Sequence, residues 1–391
     1  MGVLDNLLEF PTRNPAACIL EFGKDLTNAG PLNALVKTVE IATSRTDAAA
    51  ATIVFEDRRK EDGDYMVADS GLLARWEPIR ISADFGTNRE EILRGYITKL
   101  KPNYPPSGGE VTLEVEVLDE SALLDRAHQR EVWGDEAELS DADIVSQLLT
   151  DTPIALSGDS GAGQSGKPLN QDGTALAFMR NRASANGYEL IFTPGEVYFG
   201  EKRLEAEPQP KLMVYAGTAT NTLTFAIDDD GNKPDAVEYE VAPATDGAAA
   251  ETEVVMPEMP LLGAVAGDAE GSDLGAPNIE KLSREGDEDA ATARRRALAK
   301  AEENAFKLRA TGEVDGALYG YVLRPGLTVS VDGVGSRYGG LYYVDKVVHR
   351  FSEEGYRQAF ELLRNATGEG TGLSPPQGPL AAATSVLKSL F

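Results

Sequence analysis

Alternation of apolar and charged residues at period two dominates the first third of the chain. The pattern is strictest at residues 110–119, where valine and leucine alternate with threonine and glutamate. Residues 76–85 and 90–100 alternate in the same way, and residues 51–56 are rich in β-branched side chains. Successive side chains of a strand point to opposite faces, so these segments predict strands with one apolar and one polar face. Several short strands separated by Gly, Pro and Asn turns favour a barrel or a sandwich.

The pattern changes after residue 120. Residues 121–130 suggest a short helix, and Ser140 followed by Asp143 predicts the capped start of a second helix at residues 141–150. A Gly/Ser loop follows at residues 157–168, and a third helix at residues 172–186 ends at a glycine. Two hairpin strands follow at residues 188–192 and 196–200. We therefore expect a small α+β unit between residues 120 and about 205.

Strand patterns return in the C-terminal half. We predict strands at residues 211–215, 223–227, 236–241, 308–312, 328–331, 341–350 and 356–365. Residues 242–285 are rich in Ala, Gly, Asp and Glu, which indicates a surface loop or a partly disordered insertion. Residues 287–309 predict a charged helix. After residue 368 a Gly/Pro linker leads to a short amphipathic tail at residues 380–391.

The charge of the chain is strongly negative. Its 391 residues include 64 acidic and 37 basic side chains, a net charge of −27. This charge argues against binding of free nucleic acid through a basic face. Three interpretations stay open: solubility or a high-salt host, a docking surface for a basic partner, or an acidic channel wall that repels nucleic acid.

Length and apolar content set further bounds. A chain of this length is expected to form two to four domains. It contains no run of 18 apolar residues, so we expect no membrane span, and its first residues lack the features of a secretion signal. The one cysteine, Cys18, lies in an apolar run and is interpreted as a small core residue.

One segment resembles a phosphate-binding loop. Residues 161–167 fit the pattern G-x-x-x-x-G-K, but the next residue is Pro168 where Ser or Thr would bind magnesium. Proline also lacks the backbone N–H that such a loop needs. We interpret the segment as a flexible loop without a cofactor.

The other candidate chemistry is also weak. The two histidines, His128 and His349, cannot supply a multi-histidine metal site, and no G-x-S-x-G elbow accompanies them. His128 falls in the predicted helix at residues 121–130 and His349 in a predicted strand. Residues 228–232 suggest calcium, but the glycine and the final glutamate of the loop pattern are misplaced. We therefore predict no catalytic, metal or cofactor-binding residues.

The basic cluster Arg294, Arg295 and Arg296 lies on the predicted long helix. Three consecutive helical residues spread over about 200°, so they cannot form one anion pocket. We expect them to make salt bridges or to contact another subunit.

The C-terminal stretch resembles the late-control D proteins of phages. The resemblance rests on the charged helix, on residues 320–331 (GYVLRPGLTVSV), on residues 340–349 (GLYYVDKVVH), and on Gly355, Tyr356 and Phe360. The order of elements in the middle unit also fits, so the resemblance covers roughly residues 15–366. These proteins are baseplate hubs of contractile phage tails, related to the first part of the valine-glycine-repeat spike proteins of type VI secretion.

The resemblance implies an α+β, mainly β fold with two tube-like β-barrels, an inserted small α+β domain and a long charged helix. The resemblance implies a first barrel at residues 1–120 and the inserted domain at 121–205. The second barrel covers residues 206–366 and includes an acidic insert at 242–285 and the helix at 287–309. A linker with a docking tail follows at 367–391. One strand face would pack the core, and the other would line a lumen or meet a neighbour.

The implied function is structural. Three chains would form a ring in the tail baseplate, or in a phage-derived injection particle, that adapts a six-fold tail tube to a three-fold spike. The expected partners are two further copies, the tube, spike and other baseplate proteins, and DNA or cargo would pass through the lumen without specific binding. Assembly is expected in the host cytoplasm. The chain lacks the needle domain that follows in spike proteins, so the spike is expected to be a separate protein. The tail, with Leu387, Leu390 and Phe391, is expected to dock on the spike or on another baseplate component. The alternative is a hub-associated peptidoglycan or glycan hydrolase.

Overall fold

A computed structural model describes residues 16–28, 30–106, 109–135, 137–241, 251–269, 277–284 and 289–369. β-strands make up most of the regular structure in these ranges, and the largest sheet contains 13 of them. The prediction of an α+β, mainly β fold is therefore confirmed.

The first seven strands form one arm of the large sheet. They are β1 (Ala17–Phe22), β2 (Thr27–Asn28), β3 (Val36–Ser44), β4 (Ala50–Asp57), β5 (Pro78–Asp84), β6 (Arg89–Asn103) and β7 (Val111–Asp119), with a 3₁₀ turn at Gly30–Leu35. Their order is β3-β4-β7-β6-β5-β1-β2, and all neighbours are antiparallel. The period-two segments thus predicted β5 to β7 correctly, and the β-branched segment predicted β4.

The apolar face of this arm makes the first core. In β4 every second residue is buried, and Ile53 and Phe55 are fully enclosed. Cys18 packs against the same core, as predicted, and burial raises the pKa of its thiol to about 12. Two residues from the far end of the chain, Phe351 and Tyr356, also belong to this core.

The middle unit begins with a 3₁₀ turn at Glu120–Leu123. It continues with β8 (His128–Trp133), α1 (Asp141–Leu148), β9 (Ala155–Leu156), β10 (Leu169–Thr174), α2 (Ala175–Asn186), β11 (Glu189–Thr193) and β12 (Glu196–Gly200). The helices pack on the β11–β12 hairpin around Met179, Val197 and Phe199. The capping box at Ser140 and the left-handed cap at Gly187 are both present, as the sequence predicted.

Two predictions for this unit are wrong. The helix at residues 121–130 is absent, because the Asp119 carboxylate caps a single 3₁₀ turn and residues from His128 onward pair with β10. For the same reason α2 begins at Ala175 and not at residue 172: the preceding residues belong to β10, and Thr174 caps the helix.

The second half of the chain starts with β13 (Gln209–Met213), a 3₁₀ turn at Gly217–Ala219 and β14 (Thr222–Asp229). It then forms β15 (Ala236–Val241), β16 (Glu251–Val255), β17 (Val265–Ala266), β18 (Ile279–Leu282) and α3 (Ala290–Ala305). The last elements are β19 (Leu308–Asp315), α4 (Gly316–Tyr319), β20 (Thr328–Asp332), β21 (Gly340–Ser352), β22 (Gly355–Arg364) and β23 (Ala366–Thr367).

The interval predicted to be a loop, residues 242–285, contains strands where the structure describes it. β16 and β18 flank β15 in a separate three-stranded sheet, which covers one side of α3. The loop interpretation is therefore wrong for those strands. The composition is polar and alanine-rich, but a few apolar side chains such as Val255 are enough to bury one face against the helix.

Small side chains let α3 pack closely on this sheet. Ala293, Ala297 and Ala301 recur every four residues and are almost fully buried against Val237 and Tyr239. We expect Ala297→Leu to lower the free energy of unfolding by about 1–3 kcal/mol, since the site has no room for the added atoms. The measurement is urea unfolding, with the exposed Ala291→Leu as the control. Equal stabilities of the two variants would contradict this close packing.

Strand β21 joins the two arms of the large sheet. One of its edges pairs with β22 along most of its length. The other edge is shared: Gly340–Tyr343 pair with β20, and Lys346–Phe351 pair with β3. The second arm, β14-β19-β22-β21 with β20 and β13, has its own core around Val329, Tyr342 and Leu362. The two cores therefore lie on one continuous sheet.

Candidate assembly interface and the buried polar junction

A buried arginine lies where the first arm, the middle unit, α3 and β21 meet. Arg45 follows β3 and is 8% exposed. Its Nε donates to Asp345 Oδ1 at 2.6 Å, and its Nη1 donates to Glu189 Oε1 at 3.0 Å. Both Nη atoms also reach the Glu303 carboxylate, at 3.0 and 2.7 Å. One guanidinium therefore binds carboxylates from three separate parts of the fold.

Further groups complete this junction. Lys202 Nζ lies 3.0 Å from Glu302 and 3.6 Å from Glu303. The Tyr343 hydroxyl donates to the second oxygen of Glu189, and the Tyr343 ring stacks on Phe306 at the end of α3. Every carboxylate of Arg45 thus comes from a different element.

The electrostatics keep the junction charged at neutral pH. Burial opposes the charge of Arg45, but the Glu303 hydrogen bond and the three carboxylates raise its pKa further above the ordinary value. Burial likewise opposes the charge of Glu303, but Arg45 and Lys202 hold the pKa of that carboxyl below its usual range. This arrangement binds elements together, and it offers no uncharged base or nucleophile.

The segment that resembled a phosphate loop is occupied by a carboxylate. Gln164 N donates to Asp141 Oδ2 at 2.8 Å, and a Cβ on Gly163 would lie 2.7 Å from Asp141 Cβ. Asp141 is fully buried and also binds Arg182 Nε at 2.6 Å and Asn186 Nδ2 at 2.7 Å. A phosphate in this loop would meet the Asp141 carboxylate, and the absence of a cofactor stays a prediction.

The two histidines lie in different environments, one exposed and one buried. His128 is exposed on β8 with its Nε2 2.6 Å from Asp172, which corrects its predicted helical position. His349 is a strand residue of β21, as predicted, and its Nδ1 lies 2.9 Å from the Tyr356 hydroxyl. Burial lowers the pKa of His349 to about 3, so its ring is neutral at physiological pH.

A small cavity lies beside His349. Its walls include Arg324, Asp119 and Glu120, and its volume is about 30 Å³. That volume holds roughly one water molecule, which is far less than a sugar residue requires. Burial raises the pKa of both carboxyl groups, Asp119 and Glu120, which are held by backbone N–H groups of Ala49 and Gly195.

The suspected calcium segment forms an ordinary turn. Asn232 N donates to Asp230 Oδ1 at 2.9 Å, and Asp229 binds Arg337 at 3.0 Å. Among the described residues, no group of three or more His, Cys, Asp or Glu side chains is arranged to hold a metal ion. No helix in the part of the chain that the structure describes is long and apolar enough to cross a membrane.

The predicted contact residues have different outcomes. Arg294 pairs with Glu258 at 2.7 Å, and Arg296 donates to the Ser283 carbonyl at 2.9 Å. Arg294 thus makes a salt bridge within the chain, and a contact of Arg294, Arg295 or Arg296 with another subunit stays a prediction. Leu387, Leu390 and Phe391 lie outside the described residues.

The outward faces of the large sheet carry alternating charges. On β6 and β7, Lys99 lies 2.7 Å from Glu116 and Lys101 lies 2.8 Å from Glu114. At the seam of the two arms, Arg350 lies 2.5 Å from Glu40. The predicted one-sided polar strands are therefore present, and on β6 and β7 these two lysines are paired with two glutamates.

Two exposed aromatic residues were missed by the sequence analysis. Trp76 is 40% exposed with φ +67°, and Tyr215 is 93% exposed with φ +48°. Residues other than glycine rarely adopt a backbone conformation with positive φ. Trp76 begins the alternating segment 76–85 and Tyr215 ends the predicted strand 211–215, but β5 begins at Pro78 and β13 ends at Met213. The strand pattern therefore carried no signal for the exposure of either residue.

Solved structures of phage tail proteins share this fold. The 43 kDa tail protein of prophage MuSo2 from Shewanella oneidensis superposes with a TM-score of 0.68 at 12% identity, over 90% of this chain and 99% of that chain. A tail protein from Neisseria meningitidis MC58 gives a TM-score of 0.63 at 14% identity, over 90% and 97%. Prophage tail protein gp18 from Listeria monocytogenes gives 0.52 at 9% identity, over 95% and 99%. At these identities the likeness concerns the fold alone.

Comparison of the sequence itself gives one further result. No curated protein matches the chain. The family model described as the Alg8 N-terminal domain matches residues 25–353, a different family from the one that the sequence resembled. Because that match covers most of the chain, the protein belongs to the family described as the Alg8 N-terminal domain.

Proposed function

We propose that this protein is a structural subunit of a phage tail or of a phage-derived injection apparatus, where it serves as the baseplate hub. The observation that carries the proposal is the continuous sheet, in which β21 joins two β arms with separate cores. The same overall fold occurs in the tail proteins from Shewanella oneidensis and Neisseria meningitidis. Such a rigid two-arm subunit suits a ring that must hold its shape.

In this proposal three chains form the ring, and each contributes two tube-like β units. Six β units then face a six-fold tail tube, while the three-fold symmetry of the ring faces the spike. The tube, spike and other baseplate proteins are the proposed partners, and the virion tail is the proposed location. The continuous β21 supports this proposal because it keeps the two β units of a chain at a constant relative position.

The acidic excess suggests a lumen through which DNA passes without binding. On β6 and β7 the glutamates Glu114 and Glu116 are paired with lysines, so the proposed acidic wall is expected on other surfaces of the chain. A trimer reconstruction with a neutral or basic inner wall would rule out this part of the proposal without affecting the ring itself.

An enzymatic role has less support. The buried histidine is uncharged beside a cavity of about 30 Å³, and the exposed His128 pairs with Asp172 at the surface. The tail proteins that share the fold are described as tail proteins and not as hydrolases. A peptidoglycan-degradation assay on the purified chain separates the two functions.

The ring is tested by mass and by shape. We expect the purified chain to show three chain masses by size-exclusion chromatography with light scattering, at micromolar concentration, and class averages with three-fold symmetry by electron microscopy. In Arg45→Met the arms lose their shared junction, and the ring particles should become heterogeneous; Arg350→Met is the matched control and should give rings like the wild type. A monomer at every concentration tested, with no ring in the images, would contradict the proposed function.

A further inference from the structure

Exposed apolar side chains concentrate on one segment in the second half of the chain. Twelve large apolar residues are exposed in the part of the chain that the structure describes, and four of them lie within residues 254–265. They are Val254, Met256, Leu261 and Val265, each 44–51% exposed, and we call them the apolar strip. Single exposed apolar residues are ordinary on a protein surface, but several along one segment indicate a surface that another group covers.

The strip is the outward side of a segment whose inward side is buried. Val255 packs against α3 and is 6% exposed, and Leu262 packs beside Phe306 and is 4% exposed. The strip residues next to these two positions face solvent instead. The two cores therefore hold the segment in place while the strip is presented at the surface.

The C-terminal end of the described chain lies beside this strip. Strand β23 pairs with β17, so that Val265 lies opposite Thr367, and Ala264 N donates to the Thr367 carbonyl at 2.9 Å. The described residues end two positions later, at Glu369. Residues 370–391, which lie outside the described residues, therefore start next to Val265.

A buried arginine fixes this starting point. Arg364 is fully buried, and its Nε donates to the Leu262 carbonyl at 3.1 Å while its Nη2 donates to the Gly368 carbonyl at 2.6 Å. A Cβ on Gly263 would lie 2.8 Å from that Nη2 atom, so the close approach requires glycine at this position. One guanidinium thus ties the segment of the strip to the backbone from which residues 370–391 continue.

The sequence that follows has an apolar side of its own. In the tail at residues 380–391, Leu380, Leu387, Leu390 and Phe391 recur at helical spacing, so all four would fall on one side of a helix. Residues 370–379 contain several Gly and Pro residues and span at most about 36 Å when fully extended. A tether of this length keeps the tail near the strip at an effective concentration on the order of millimolar.

We propose that the tail, residues 380–391, binds the apolar strip of the same chain through Leu380, Leu387, Leu390 and Phe391. Removal of two apolar surfaces from water drives the contact. Because the tether makes the binding intramolecular, a weak contact is enough to keep the strip covered. The inference concerns the free chain and does not depend on the proposed ring. Docking of the tail on a spike or another baseplate component would require its release from the strip.

Trypsin cleavage after Lys388 tests whether the tail is covered. Lys388 is the only lysine or arginine within residues 370–391, so loss of residues 389–391, measured by intact mass, reports on this one bond. We expect the double variant Leu261→Asp/Val265→Asp to be cleaved there at least tenfold faster than the wild type, because the charged strip no longer holds the tail. Equal melting temperatures of the proteins show that the fold is unchanged.

The matched control is Leu223→Asp/Met66→Asp. It also replaces two exposed apolar residues by aspartate, but on β14 and on the segment between β4 and β5, and it should be cleaved like the wild type. A synthetic peptide of residues 370–391 gives the cleavage rate of an uncovered tail, and we expect this rate to be at least tenfold above that of the wild-type chain.

Cross-linking measures the proximity of tail and strip. Ala264→Cys and Ser389→Cys, introduced together in a Cys18→Ala background, place one thiol beside the strip and one in the tail. A short bismaleimide should join them within one chain. Thr27→Cys with Ser389→Cys is the control, since Thr27 is exposed on β2 of the first arm, and this pair should stay uncoupled.

The outcomes separate the possible occupants of the strip. Cleavage after Lys388 at one rate in the wild type, in the strip variant and in the peptide would overturn the inference, since the tail would then be uncovered. Protection that rises with protein concentration, with a cross-link only between mixed chains that carry one thiol each, would assign the strip to a second copy and would also overturn it. Protection that the strip variant loses, together with a cross-link within one chain, supports it. Failure of the chain to form a ring contradicts the proposed function and leaves this inference standing.

Discussion

Replacing Arg45 by methionine should lower the free energy of unfolding by about 3–5 kcal/mol. The change removes the cation from the buried Glu189 and from the half-buried Asp345 and Glu303. Methionine keeps most of the volume, so the loss reflects the unpaired carboxylates and not a cavity. Urea unfolding followed by circular dichroism measures the change.

The matched control for this variant is Arg350→Met. Arg350 also bridges the two arms through a glutamate, but its side chain is 60% exposed, so we expect a loss of about 0–1 kcal/mol. If the two variants lost the same stability, the Arg45 junction would contribute no more than a surface ion pair.

The difference between wild type and Arg45→Met should depend on pH. Glu303 has a folded pKa below its unfolded value, which is about 4.3. Such a group contributes stability above its unfolded pKa, and the contribution is lost as the pH falls through the folded pKa. The stability gap should therefore be constant from pH 7 to about 5 and narrow as the pH falls below about 4. A gap that widened in acid would contradict this assignment.

Replacing Asp141 by alanine should cost about 3 kcal/mol or more. The carboxylate is fully buried and accepts bonds from Arg182, Asn186 and the backbone of Gln164. Without it, Arg182 stays 15% exposed with no acidic partner from α1, and the loop of residues 161–167 loses the bond from Gln164 N to α1. Urea unfolding and the rate of proteolysis within that loop measure the two effects.

Asp143→Ala on the same helix is the control for this prediction. Asp143 completes the capping box with Ser140 at the exposed end of α1, and removing such a cap typically costs about 1 kcal/mol. Equal losses in the two variants would show that the buried Asp141 network adds nothing beyond an ordinary helix cap.

Local features of the fold were predictable where one residue or a short pattern decides the outcome. Strands β5 to β7 follow from alternation and β4 from its β-branched residues. The start of α1 follows from Ser140 and the end of α2 from Gly187. Prediction failed where distant pairing outweighs local preference. Residues 128–133 form a strand only because β10 lies beside them, and β16 and β18 exist because β15 and α3 provide a surface to cover.

The candidate surfaces divide in the same way. The histidines, the cysteine and the failed phosphate loop could be judged from spacing, because catalysis and metal binding require particular residue types at particular distances. The exposed positions of Trp76 and Tyr215 could not, since exposure and backbone strain arise only when neighbouring strands hold the segment in place.

The sequence by itself determined the alternating strands, the capped helices of the middle unit and the strong acidic charge. These depend on residue type and on neighbours a few positions away. Only the tertiary structure decided that β21 divides one edge between β20 and β3, and that Phe351 and Tyr356 complete a core built by the first seven strands. The same is true of Arg45, whose charge is stable in the interior only because Glu189, Glu303 and Asp345 converge on it from distant parts of the chain.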